Sequence, residues 1–205
     1  MTERHGSPRF YKLTQSMRSN IEEVAKHVHE RLTVIMTVEE CSAYDAAVEL
    51  ITEHLHSLSD MRTIEIQCLW IASLAMAAAI CHKANHLVNI PTLIDGMLEW
   101  LDKMDNTHSI KNHDYASEHP LSNFMAYCAP FDMPLYYAGI IISISKKERL
   151  RSIKHKGCHK VNETVEETLI DMAVYAFLII IMYETEQDGW DREKYRRLAW
   201  EYLND

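Results

Sequence analysis

The run Asn162-Glu-Thr-Val-Glu-Glu-Thr-Leu-Ile-Asp-Met-Ala-Val-Tyr-Ala-Phe-Leu-Ile-Ile-Ile-Met-Tyr183 decides the architecture. Its first half is acidic and polar, and from Met172 onward it is apolar on nearly every side. Asn162 or Thr164 can cap it, so it reads as a helix reaching about Glu184. A helix that is apolar all round needs partners all round, which makes this a core element. The apolar stretches Met172 to Tyr183 and Leu69 to Cys81 are both short for a bilayer crossing, so no membrane partner is expected.

The same periodicity extends outward. With only five Gly and five Pro in 205 residues, tight turns are scarce and long helices are favoured, so the expected fold is all-α. Ile21, Val24, Val28, Leu32 and Ile35 repeat at helical spacing behind a Ser19/Glu22 capping-box signal. Thr37 and Glu40 repeat that signal before Tyr44, Ala47, Val48, Ile51, Leu55 and Leu58. A third helix is predicted from about Thr63 to Lys83, and a fourth from Pro91 to about Asp105. Asn106 to Pro130 is polar and interrupted, and reads as a long functional loop. Pro134 opens a fifth helix that turns basic at Lys146, Lys147, Arg149 and Arg151; the sixth is the acidic-then-apolar run, and Asp188-Gly189 precede a seventh from Trp190 to Leu203. The division expected is an N-terminal helical extension over 1–88 and a second helical domain over 89–205.

A formal charge of −9 argues against broad nucleic-acid binding, because a polyanion is repelled on average, while a nucleotide carried with Mg²⁺ remains compatible. Met1 to Thr14 has no apolar run after its basic residues, so a cytosolic location is expected. Five scattered cysteines fit free thiols rather than a disulfide framework.

Glu163, Glu167, Asp171 and Tyr175 are spaced by four, which stacks them on one helix face. Three carboxylates at that spacing repel, and Asp171 adjoins the apolar run, where an unpaired charge is costly. A bound cation resolves both, and Mg²⁺, which takes oxygen ligands and bridges carboxylates to phosphates, suits the pattern. The basic stretch from Lys146 to Lys160 precedes the stripe, so a helical hairpin can place both charge types around one polyphosphate. A plainer reading is also open: with Thr164 as N-cap, Glu167 is its capping-box partner, Glu163 and Glu166 favour the helix dipole, and the basic run is a solvated face.

The order Lys111-Asn-His-Asp-Tyr-Ala116, Pro120-Leu-Ser-Asn-Phe124, Lys146-Lys-Glu-Arg-Leu150 and Glu163 to Tyr175 resembles the phage-associated, nucleotide-modification-associated branch of the MazG-like nucleotide pyrophosphohydrolases, over about residues 92 to 185. The resemblance implies an all-α helical bundle that hydrolyses a nucleoside triphosphate or modified nucleotide to monophosphate and pyrophosphate. It further implies Mg²⁺ (or Mn²⁺) held by Glu163, Glu167, Asp171 and Glu148, with Glu163, Glu167 and Asp171 catalytic. Lys146 and Arg149 would hold phosphate, and Asp114, Tyr115, Asn123 and Tyr175 would meet the rest of the nucleotide. A homo-oligomer is expected, with a second subunit covering part of Met172 to Tyr183. This chain departs from the pattern in Ser145-Lys-Lys-Glu-Arg-Leu, where Glu148 is the single acid on the helix before the acidic motif. A nucleotide-binding regulator without turnover is therefore the alternative, and a purely structural helical interaction protein is the third class.

Other groupings point elsewhere with less force. His113-Asp114 is the dipeptide of HD-type phosphohydrolases, but two adjacent residues make a weak motif. Cys81, His82 and His86, and separately His155, Cys158 and His159, have zinc-ligand chemistry without four well-separated ligands. Cys128 has no evident local base and reads as an ordinary thiol.

Overall fold

Two long apolar helices organise the chain. The structure, a computed structural model, describes residues 8–115, 119, 121–156 and 164–204. Among the described residues there are nine α-helices, two single 3-10 turns at Met61–Thr63 and Ala129–Phe131, and no strand. The helices are α1 (Pro8–Ser19), α2 (Ile21–Glu39), α3 (Ala43–Ser57), α4 (Ile64–Ala84), α5 (Ile90–Tyr115), α6 (Ser122–Cys128), α7 (Leu135–Lys156), α8 (Val165–Asp188) and α9 (Arg192–Asn204). The all-α expectation holds.

Helix α4 packs most extensively on α3 and α8, and α8 on α7 and α4, so helices from both halves of the sequence share one hydrophobic core. The alanines of α4, including Ala72, Ala75, Ala77 and Ala78, are fully buried and let the neighbouring helices approach closely. With 21 residues and a window of mean hydropathy 1.8, α4 is long and apolar enough to cross a membrane, longer than its apolar run suggests; 67% of that window is buried within the protein.

Helix α8 has Met172, Ala173, Ala176, Phe177, Ile179 and Met182 fully buried inside this one chain, against α4, α7, α5 and α1. Its apolar run therefore needs no second subunit to cover it. Gly139 sets the approach of α7 to α8: a Cβ there would lie 2.6 Å from both Ile179 Cγ1 and Met182 Cε, closer than carbon atoms pack. The apolar stripe left open lies instead on α7, where Tyr137, Ile141 and Ile144 are each more than 40% exposed at i, i+4 and i+7 spacing.

Several sequence-based boundaries move. Helix α1 was not expected; it buries Phe10, Thr14 and Met17, a stripe at helical spacing disguised by a central Thr. Ser19 belongs to α1 and bonds back to the Gln15 carbonyl, so no Ser19/Glu22 box forms, and Asn20 starts α2 without a side-chain cap. Likewise Thr37 lies inside α2, bonded to the Thr33 carbonyl; Glu40 ends that helix at φ 49°, and Ser42 caps α3 through the Asp45 N–H at 3.1 Å. The largest shift is in α5, which continues to Tyr115 instead of ending near Asp105. His108 extends the buried stripe of Leu93, Met97, Trp100, Leu101 and Met104, stacking on Phe10 with ring centroids 4.0 Å apart. Much of the expected 106–130 loop is consequently helical, in the end of α5 and in α6.

At the other end, the Glu186 carboxylate accepts from the Leu135 N–H at 2.9 Å and the Trp190 indole at 2.8 Å, and pairs with Arg192. This fastens the start of α7 and the start of α9 to the end of α8. Gly189 takes φ 81° in the turn, a left-handed value that glycine adopts at no steric cost.

Candidate functional site

The α7–α8 hairpin brings the predicted charges together at one edge. Thr164 is the N-cap of α8, with a complete capping box: the Glu167 N–H donates to Thr164 Oγ1 at 3.0 Å and Glu167 Oε2 accepts from the Thr164 N–H at 2.6 Å. These bonds, the backbone one first, hold the Glu167 carboxyl below the ordinary glutamate range despite its full exposure, with the Asp171 charge opposing and Arg149 assisting. Glu167, Asp171 and Tyr175 thus form the stripe within α8. Glu163 precedes the helix and lies outside the described residues.

Asp171 sits at the rim of the core with its side chain 14% exposed, and Lys146, at 18%, reaches across from α7 to place Nζ 2.8 Å from its Oδ2. The cation that relieves Asp171 in this structure is therefore a lysine ammonium. Arg149, one turn along α7 from Lys146, is half-buried and acts on the Glu167 carboxylate. Behind the stripe, Lys103 of α5 bonds Glu166 at 2.6 Å. Lys147 is buried except for 7%, with Nζ 2.7 Å from Glu148. Neither lysine–glutamate pair stands out in the sequence, because the first links residues 63 apart and the second hides in a basic run.

Glu148 does not join the stripe. It is two residues from Lys146, hence on another side of α7, and it is shared between Lys147 and Arg151, the Lys147 hydrogen bond holding its carboxyl below the usual range. Tyr175 is half-buried and meets the Phe124 ring edge-on at 6.3 Å, which brings α6 against α8; Asn123 is exposed beside Phe124. Asp114 and Tyr115 are in the last turn of α5 rather than on a loop, and their side chains lie outside the described residues.

Among the described residues no three His, Cys, Asp or Glu side chains gather into a group able to hold a metal ion. Glu148 lies with Lys147 and Arg151, and Cys81, His82 and His86 make no such group. The Cys81 thiol is buried, its pKa raised by that burial, and bonded to the Val88 backbone. The second zinc grouping, His155, Cys158 and His159, lies outside the described side chains, as does the His113-Asp114 pair. What the hairpin offers is two carboxylates, Glu167 and Asp171, one turn apart. Mg²⁺ usually takes one or two protein carboxylates, and these two would be its donors here, Asp171 being held by Lys146 and Glu167 by its cap.

The buried thiols are inert. Burial raises Cys68 well above the ordinary range and pushes Cys128 up to about 11, its Sγ directed to the Leu135 carbonyl at 3.8 Å. Neither is a nucleophile at neutral pH.

Residues 111–182 match a protein-family model described as nucleotide modification associated domain 1. The matched segment runs from the last turn of α5 through α6 and α7 to Met182 of α8, so it contains the whole Lys146, Arg149, Glu167, Asp171 and Tyr175 grouping. It stops short of α9 and excludes α1 to α4. No curated protein and no solved structure matches the chain.

Proposed function

We propose that the α7–α8 hairpin is the nucleotide site of a Mg²⁺-dependent, MazG-like nucleotide pyrophosphohydrolase. The observation that carries this reading is the Lys146–Asp171 pair, held at the edge of the core inside the matched segment, with Glu167 and Arg149 one turn away. Phosphate and cation binding need opposite charges side by side in a partly desolvated place, and this is where the chain supplies them.

In this reading Lys146 exchanges its carboxylate for a phosphate oxygen when the polyphosphate enters, and Arg149 takes a second phosphate. Asp171, released from Lys146, and the exposed Glu167, whose Oε2 serves the cap, would hold the metal. When bound, Mg²⁺ would neutralise phosphate charge and lower the pKa of a coordinated water. Tyr175, fixed by Phe124, lies one turn below Asp171 to orient the substrate. The basic end of α7 and the acidic start of α8 each complement their own helix dipole.

Asp171→Asn keeps the side-chain shape and removes the charge, and pyrophosphate release from a panel of natural and modified nucleoside triphosphates should fall by on the order of 100-fold or more. Wild-type turnover with unchanged Mg²⁺ dependence in that variant defeats the reading. The Lys146–Asp171 contact also favours a second one, binding without hydrolysis, since the pair satisfies itself without metal. Nucleotide retention with no pyrophosphate formed by the wild-type protein would select it. The homo-oligomer belongs to the same proposal, with the α7 stripe of Tyr137, Ile141 and Ile144 as its contact; light scattering showing only monomer at micromolar concentration would remove it.

A further inference from the structure

A cleft lies where the N-terminal helices meet the end of α7 and the start of α8. It has a volume of about 510 Å³ and is lined by Tyr44 from α3, by His82, Asn85 and His86 from the end of α4, and by Ile153 of α7 and Val165 of α8. That volume is within the range of small-molecule sites, which are largely apolar with a few polar groups. We infer that this cleft binds the planar heterocycle of a nucleoside, so that the N-terminal helices supply a base-recognition surface to the nucleotide-associated segment.

Three features carry the assignment. The Tyr44 and His82 rings stand 5.0 Å apart at an interplanar angle of 57°, forming an aromatic corner in which a flat ligand can stack on one ring and meet the edge of the other. The polar groups are of the kind that reads the edge of a base. Asn85 carries both a donor and an acceptor, and its backbone sits at φ 60°. His86 Nδ1 lies 2.8 Å from the Ala84 carbonyl and donates to it, which leaves Nε2 to meet a ligand. Finally, Ile153 and Val165 close the apolar side, and both belong to the matched segment, which alone does not line the cleft. The choice of a nucleoside among flat heterocycles rests on the nucleotide reading above; the cleft and its ring corner do not.

Equilibrium dialysis of the full chain against ribo- and deoxynucleosides, which lack phosphate, tests this directly. At least one nucleoside should bind to the wild-type protein at millimolar concentration or below. His82→Ala, at an exposed position that leaves the core intact, should weaken it about tenfold by loss of stacking. Asn85→Gly keeps the left-handed backbone without strain and should change the preference among bases. Asp171→Asn should leave nucleoside binding unchanged. The inference is overturned if no nucleoside binds, if His82→Ala and Asn85→Gly both bind as wild type, or if Asp171→Asn alone abolishes binding. Should Asp171→Asn retain turnover while His82→Ala loses nucleoside binding, the hydrolase reading fails and the cleft stands.

Discussion

Where α7 meets α8, charge is kept at the edge of the core as a pair, Lys146 with Asp171, whereas the seam between α1 and α5 takes a titratable group inside as a neutral ring, His108 stacked on Phe10. The seam places its charges outside that ring, with Arg18 of α1 2.8 Å from Asp102 and 3.4 Å from Asp105, and Thr14 bonding Asp105 at 2.9 Å. A neutral ring stabilises a seam without inviting a ligand. A charge pair at a rim can be opened by any ligand that offers each partner a better counter-charge, which is why function is assigned to the hairpin and structure to the seam.

The sharpest way to break that contrast is to titrate the seam. Burial lowers His108 from its ordinary value to about 4. The folded state therefore resists a proton that the unfolded chain accepts below about pH 6.5, so this contribution is intact above pH 6.5, declines as the pH falls towards 4, and is flat below. Over that window the loss should approach about 3 kcal/mol. His108→Phe keeps the stack on Phe10 and removes the proton site, so urea-unfolding curves of variant and wild type should diverge by about that amount between pH 7 and pH 4. Parallel pH profiles would show that the ring carries its proton in the fold and that the seam is charged after all.

A smaller effect tests the hairpin's packing. Gly139→Ala puts a methyl 2.6 Å from Ile179 Cγ1, which hangs on the branched Cβ of a side chain with little χ1 freedom in a helix. Overpacking of this kind costs about 1–3 kcal/mol, partly offset by the better helix propensity of alanine. The expected net is a loss of about 1–2 kcal/mol in a thermal or denaturant melt, and Gly139→Ala should cost less when made in an Ile179→Ala background, where the clashing carbon is gone. If Gly139→Ala were neutral, the hairpin would be looser than the close α7–α8 approach requires.

The contrast also explains what could be read beforehand. Pro134, Thr164 and Asp188-Gly189 are local signals, a first-turn proline, a capping box and a break, and α7, α8 and α9 begin close to where they point. Helix α1 and the second half of α5 hide because each carries a polar residue in its buried stripe, Thr14 and His108, and only the partner helix shows why a polar group is tolerated there. At the site, the four-residue spacing found Glu167, Asp171 and Tyr175, but spacing says nothing of what lies opposite. Glu167 is engaged with its own cap, Glu148 turns away, and Asp171 meets Lys146 from 25 residues back. The Tyr44–His82 corner was out of reach for the same reason: its rings come from separate helices, and a cleft is a property of their placement.

The smallest effect expected is the most informative about the hairpin. Lys146→Met and Asp171→Asn each strand the other partner, but both groups keep some exposure, 18% and 14%, so water limits the damage to about 1–2 kcal/mol for either change. If the two charges mainly serve each other, the double variant should be less destabilised than the sum of the single ones, with a coupling of about 1 kcal/mol in a double-mutant cycle of unfolding free energies. The same cycle repeated with saturating pyrophosphate and Mg²⁺ separates stability from ligation. A pair that opens to hold ligand should lose its coupling there, because each charge then answers to the ligand rather than to its neighbour, while a pair that is only structural should keep the full value. Coupling that is undiminished by ligand would leave the hairpin with the same structural role as the α1–α5 seam.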